Sequence, residues 1–208
     1  MKSLFRAFGL TVLSLTLTNC FLSLEQIASH LESKRQEKNE VSLVSAKGVD
    51  YRRLRDLLKA KKWKEADEET YKVMLKVASR ESEGWLRAVD ASNFSCQDLG
   101  TIDKLWVKYS NGKFGFSVQK QVYESLGGTN RINWINSGFG KKFGDKLGWR
   151  QEGEWLNYSA LTFSEEHYVG HHPWFHLCHP LWCSQEPVVP VYLVPLFTLF
   201  SRGSNCGA

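Results

Sequence analysis

The sequence has no internal repeat and no segment of low complexity, which sets aside repeat arrays and compositionally biased tails. It has no apolar run fit to cross a bilayer as a helix. Phe8 to Leu17 is too short, and Val188 to Phe200 is broken by Pro190 and Pro195. No dense basic stripe is present. The formal charge is only +5, too small a balance to single out a partner, and this argues against nucleic acid. A phosphate-binding glycine loop is missing as well: Asn111-Gly112-Lys113-Phe114-Gly115 contains glycines but lacks the strand that such a loop follows. No Ser-His-Asp or Cys-His spacing stands out. The chain therefore reads as a non-enzyme, with no catalytic residue and no resident metal.

What is present is a globular composition with 42% hydrophobic and 24% charged residues over 208 positions, enough for one domain plus appendages. Eight Trp, twelve Phe and seven Tyr make up 13% of the chain. Such a density suits a packed core or a pocket for a flat apolar ligand. At the start, Lys2 and Arg6 precede the apolar stretch Phe8–Leu17, and Leu17-Thr18-Asn19-Cys20 is similar to a lipobox, although Asn19 departs from it. Residues 1–20 thus read as a signal or lipoprotein-like segment, or as an amphipathic start. In the first case Cys20 carries a lipid and the protein is membrane-associated, as an exported lipoprotein. The cytoplasm is the alternative location. Cys96, Cys178, Cys183 and Cys206 then form up to two disulfides in an oxidising compartment, with Cys96–Cys206 as one pairing, or remain thiols in a reducing one.

Residues 21–48 are polar and mixed in charge and read as a linker. Beyond them helical spacing takes over. Asp50 is placed to cap a helix with Leu54, Leu57 and Leu58 on one face, closed by Lys61-Lys62. A second helix starts near Trp63 and turns Ala66, Thr70, Val73, Met74 and Val77 inward. A short third one surrounds Trp85–Val89. Asp98 is placed to cap a stripe of Leu99, Ile102, Leu105, Trp106 and Tyr109. A further helix spans about Ser117 to Ser125, with Gly127-Gly128 stopping it. From Thr129 to Phe163 glycines and aromatics alternate with no clean period, which points to loops and short helices. The stretch from Val188 to Phe200 reads as a strand or a buried extended segment.

Five ordered motifs carry a resemblance. Leu54-Arg55-Asp56-Leu57-Leu58 with Trp63-Lys64-Glu65-Ala66-Asp67-Glu68-Glu69-Thr70 comes first. Asp98-Leu99-Gly100-Thr101-Ile102-Asp103-Lys104-Leu105-Trp106 is the second, and Tyr109-Ser110-Asn111-Gly112-Lys113-Phe114-Gly115-Phe116-Ser117-Val118-Gln119 the third. Phe143-Gly144-Asp145 with Leu147-Gly148-Trp149-Arg150 follows. Trp155-Leu156-Asn157-Tyr158 with Leu161-Thr162-Phe163-Ser164 is the last. Together they resemble the Genomes Uncoupled Four family over residues 49–171, with 172–208 left as a His-, Pro- and Cys-rich tail. The resemblance implies an all-α fold, a compact multi-helix domain shaped like a cupped hand with irregular aromatic and Gly-rich loops. It implies a non-catalytic protein that binds protoporphyrin IX or Mg-protoporphyrin IX. It also implies regulation of magnesium chelatase, and so of chlorophyll biosynthesis, by contact with that enzyme's large subunit. It implies the plastid stroma as a further alternative location. The alternative is a membrane-anchored sensor or interaction module that keeps the fold and no longer binds porphyrin.

A porphyrin is a flat apolar disc with two propionates on one edge. It asks for an aromatic and aliphatic floor with a cation at the rim. Phe116, Val118, Trp149, Trp155, Tyr158 and Phe163 are the floor candidates, and Arg150 is the candidate for a propionate or else a structural ion pair. Lys141 and Lys142 are looser candidates for the rim. Trp106 and Tyr109 read as core, and Asp98, Asp103 and Asp145 as caps or loop-fixing groups. His171, His172, His176, Cys178, His179 and Cys183 form a second cluster, but its spacing matches no standard zinc pattern.

Overall fold

The structure is a computed structural model. It describes residues 24–35, 40–129, 138–166, 168–174 and 193–206. The chain divides into two compact units, residues 1–41 and Ser42–Ala208. In the first, helix α1 covers 24–35 and every one of its residues is exposed, with Leu24, Ile27 and Leu31 spaced along one stripe. The signal-like segment 1–20, including Cys20, lies outside the described residues. No described helix is long and apolar enough to cross a membrane.

Among the described residues the second unit is all-α apart from one short ribbon. Helix α2 (Arg52–Lys59) buries Leu54 and Leu58 completely, one turn apart. The Asp50 carboxylate accepts the Arg52 N–H at 2.9 Å, so the expected cap acts from two residues upstream. Lys61, at φ 58°, reverses the chain into α3 (Trp63–Val77), whose buried stripe is Trp63, Ala66, Asp67, Thr70, Val73, Met74 and Val77. The short α4 (Ala88–Ser92) follows, held by Asp90 accepting from the Arg87 N–H at 2.9 Å.

Helix α5 (Cys96–Tyr109) is capped by Ser95, whose Oγ accepts the Asp98 N–H. Asp98 is therefore not the helix cap that the spacing suggested. It lies in the first turn, and its buried carboxylate accepts from the Ser45 hydroxyl, the Ala46 N–H and the Tyr51 hydroxyl. That pins the stretch before α2 to α5. At the other end Ser110-Asn111-Gly112 turns the chain with positive φ at Asn111 and Gly112. Asp103 of α5 then accepts the Ser117 N–H at 2.8 Å, capping α6 (Phe116–Ser125) from a neighbouring helix. Gly115 fits between the two. Its φ is +135°, and a Cβ there would lie 2.8 Å from Asp103 Oδ1 and 2.9 Å from Val107. Gly115→Ala is accordingly expected to lower stability by about 2 kcal/mol, read by urea unfolding, from backbone strain plus a displaced cap.

Helix α7 (Phe139–Leu147) ends on Gly148 in the left-handed region. Strands β1 (Arg150–Gln151) and β2 (Glu154–Trp155) pair antiparallel across a turn at Glu152-Gly153, both at positive φ. A single 3-10 turn, Tyr158–Ala160, leads into the chain at 161–174. Helix α8 (Leu193–Asn205) is the largest departure from expectation. The stretch expected to be extended is helical from Leu193, because Pro195 falls in its first turn, where a missing N–H breaks no helical bond. Helix α8 packs on α4, α5 and α6. Its Arg202 Nε donates to the Phe94 carbonyl at 2.9 Å, and Cys206 forms a disulfide with Cys96, 110 residues away, at a Cα separation of 5.4 Å.

Candidate functional site

The region built by α3, α7, the ribbon and residues 156–174 collects most of the aromatic side chains named from the sequence. Trp149, the residue after the Gly148 turn, is 1% exposed. Its Nε1 donates to the His171 carbonyl at 2.8 Å, and its ring meets Phe143 edge-on at 5.8 Å. Leu156 N donates back to the Trp149 carbonyl at 2.9 Å. Phe116 and Val118 stand on α6 and are buried, at 4% and 7% exposure. These three are core side chains. Trp155, Tyr158 and Phe163 are half-buried. Tyr158 stands 5.4 Å from Phe163 and 5.6 Å from Trp174, ring to ring.

Arg150 stands between α7 and the Trp155 ring. Its side chain is 5% exposed. One terminal nitrogen donates to Asp145 Oδ1 at 2.7 Å and the other to the Gly153 carbonyl, while the guanidinium lies 5.4 Å from the centre of the Trp155 ring. Its Nε is buried with no hydrogen-bond partner among the described residues. The Asp145 pair ties α7 to the ribbon. Gly144 permits the close packing, since a Cβ there would fall 2.5 Å from the Trp155 ring. Lys141 and Lys142 are exposed on α7.

Beneath Tyr158 lies a group that the motif reading passed over. Asp67 is 3% exposed on the inner stripe of α3. Its carboxylate accepts the Trp174 N–H at 2.5 Å and faces Tyr158. Burial, opposed first by the Trp174 hydrogen bond, pushes its pKa from 3.8 up to about 7. The signal was available: an acid four residues after Trp63 and three before Thr70 sits on the apolar face of a helix. Tyr158 is raised in turn, by burial first and then by the charge of Asp67.

His171 and His172 are part of the packed body. His171 Nδ1 bonds the Leu147 carbonyl at 2.6 Å and His172 Nε2 the Thr162 carbonyl at 3.3 Å. The fully buried His172 ring is stacked on Phe163 at 4.9 Å and on Trp106 at 6.0 Å. Burial, then the neighbouring His171, pulls its pKa down to about 3. The segment is fastened by Gly115 N donating to His172 O, Gly170 N to Lys113 O, and Gln119 Nε2 to the carbonyls of Gly170 and Pro173. Among the described residues no group of His, Cys, Asp and Glu is placed to hold a metal ion. His176, Cys178, His179 and Cys183 lie outside them.

Comparison with known proteins agrees with the helical fold. Residues 44–189 match the family described as GUN4-like. The chain belongs to the GUN4-like family. It is 35% identical over 173 residues to an uncharacterized protein, ycf53, of Porphyra purpurea, covering 82% of this chain and 63% of that one. Over 63 residues it is 33% identical to the chloroplastic tetrapyrrole-binding protein of Arabidopsis thaliana, covering 29% of this chain and 24% of that one. The structure of GUN4 from Chlamydomonas reinhardtii superposes with a TM-score of 0.57 at 26% identity, over 78% of this chain and 93% of that chain. The chain spans only 42% to 63% of the length of the ycf53 relatives from Cyanidium caldarium and Porphyra purpurea. The family match starts within the stretch pinned by Asp98. It runs past His171 and His172, so it takes in residues that the motif reading had assigned to linker and tail.

Proposed function

We propose that this protein is a non-catalytic tetrapyrrole-binding protein of the protoporphyrin or Mg-protoporphyrin class. Its ligand lies against the half-buried rings of Trp155, Tyr158 and Phe163, joined by Trp174. The observation that carries the reading is the half-buried aromatic group of Tyr158, Phe163 and Trp174, with Trp174 against the buried Trp149, and one nearly buried guanidinium, Arg150, beside Trp155. The Arabidopsis relative named as tetrapyrrole-binding supports the ligand class. A flat ring gains most from rings held in place before it arrives, and Arg150 would meet a propionate by a charge-assisted bond. Regulation of magnesium chelatase through its large subunit is the role that the family resemblance implies, and the chloroplastic relative supports a plastid location. Acylation of Cys20 would supply the membrane anchor.

The test is titration of the full chain with protoporphyrin IX, followed by tryptophan fluorescence. Quenching with a Kd near 1 μM or tighter is expected, about −8 kcal/mol. Phe163→Ala should weaken binding about tenfold, and Arg150→Lys by a similar factor, because an ammonium cannot replace the two-sided fork. Absence of quenching in a folded sample would overturn the reading. It would favour instead an interaction module without a ligand, a role to which the burial of Trp149, Phe116 and Val118 and the Asp145 pair of Arg150 lend themselves.

A further inference from the structure

We infer that the Cys96–Cys206 disulfide is a thiol–disulfide exchange site for a protein dithiol, and that its reduction loosens α8 and the α7–ribbon layer packed on it. The effect on ligand affinity rests on the tetrapyrrole reading; the exchange chemistry and the loosening do not. Both cysteines are partly exposed, so an incoming thiolate can reach the bond. Cys96 is the first residue of the 14-residue α5, where free N–H groups and the helix dipole favour a thiolate. Asp98, in the same turn, has its carboxylate engaged by Ser45, Ala46 and Tyr51. Cys206 directly follows α8, its N–H bonded to the carbonyls of Arg202 and Gly203.

The exchange balances with one dithiol. Its thiolate attacks Cys206 Sγ, and the Sγ–Sγ bond breaks with its electron pair passing to Cys96 Sγ, the better leaving group. The second thiol of the reductant then attacks the mixed disulfide and expels Cys206 as a thiolate. Two electrons pass to the cysteines and the dithiol becomes a disulfide. The two protons that it gives up finish on Cys96 and Cys206.

The path from this bond to the aromatic layer is continuous. On α8, Phe197 lies 4.7 Å from Tyr123 and 5.4 Å from Phe143, and Phe200 lies 6.3 Å from Phe143. Phe143 of α7 meets Trp149, while Asp145 and Gly144 of the same helix hold Arg150 and seat Trp155. Without the cross-link α8 keeps Arg202 and its apolar face, so the expected change is loosening and not unfolding.

The experiment takes the oxidised full chain and adds a reduced thioredoxin-type protein dithiol without denaturant. Alkylation mapped by mass spectrometry reports the cysteines, hydrogen exchange reports residues 139–155 and 193–205, and protoporphyrin IX quenching reports affinity. Expected are alkylation of both Cys96 and Cys206, a fall in protection of both segments by about tenfold, and a change in Kd of about fivefold. The C96S/C206S double variant should match the reduced protein with no dithiol added. The proposal is overturned if the pair stays oxidised until the protein is denatured, or if protection at 139–155 is unchanged in both the reduced protein and the variant. Absence of quenching in either redox state counts against the tetrapyrrole reading alone, because the protection data stand by themselves.

Discussion

Replacing Trp149 with alanine is expected to lower the stability of the fold by about 3–5 kcal/mol, and to disturb the aromatic layer before any ligand is added. The ring is 1% exposed and fills the space between Phe143 and Trp174, at 5.8 and 6.5 Å. Its Nε1 is the donor to the His171 carbonyl, so truncation leaves both a cavity and a buried acceptor without its donor. Trp149→Phe separates the two terms. It keeps most of the volume, loses the hydrogen bond, and should cost about 1–3 kcal/mol. Urea unfolding of the three proteins at one pH measures both numbers. A Trp149→Ala midpoint within about 1 kcal/mol of the parent would mean that the ring is not packed as described. Loss of porphyrin binding in that variant would therefore report on folding, which is why the binding test above uses Phe163 and Arg150.

The second large effect is a pair of opposed pH dependences. Asp67 has a folded pKa near 7 against an ordinary 3.8, because burial disfavours its charge. As pH rises from about 4 to 7 the unfolded chain releases this proton first. The stability that Asp67 contributes is complete below pH 4 and is lost by pH 7, a change of about 4 kcal/mol. His172 runs the other way. Its folded pKa near 3 lies below the ordinary 6.5. Its contribution is complete above pH 6.5 and disappears as pH falls toward 3, a change of about 5 kcal/mol. Between pH 4 and 6.5 the two slopes cancel, and the parent protein should be nearly level there. Asp67→Asn keeps the acceptor for the Trp174 N–H and removes the first slope, so its stability should climb with pH over that window. His172→Gln should do the reverse. Urea midpoints at pH 4.5, 5.5 and 6.5 decide the matter. Two variants with parallel pH profiles would show that neither group titrates as its surroundings imply.

Much of the helical scaffold was legible because it depends on neighbours a turn away. The stripes through Leu54 and Leu58, through Trp63 to Val77, and through Leu99 to Trp106 follow a spacing of three and four. The turns at Asn111-Gly112 and Gly127-Gly128 follow from φ > 0. Helix α8 was harder to read because Pro195 argues against a helix until its place in the first turn is known. Asp98 was misplaced for a related reason. Acids suit both the cap and the first turn of a helix, and only its partners Ser45, Ala46 and Tyr51 show which position it holds.

The sequence by itself determined the all-α class, the helix faces and the family, since local periodicity and ordered motifs carry that information without reference to distant contacts. The tertiary structure decided what the named side chains can do. It made Trp149 a core residue joined to His171 and committed Arg150 to Asp145 and Gly153. It also buried the Asp67 carboxylate under Tyr158 and brought Cys96 to Cys206 across 110 residues. Each of those roles rests on burial and on a partner brought close by folding, and a residue's own spacing says nothing about how far its charge or ring will be taken from water.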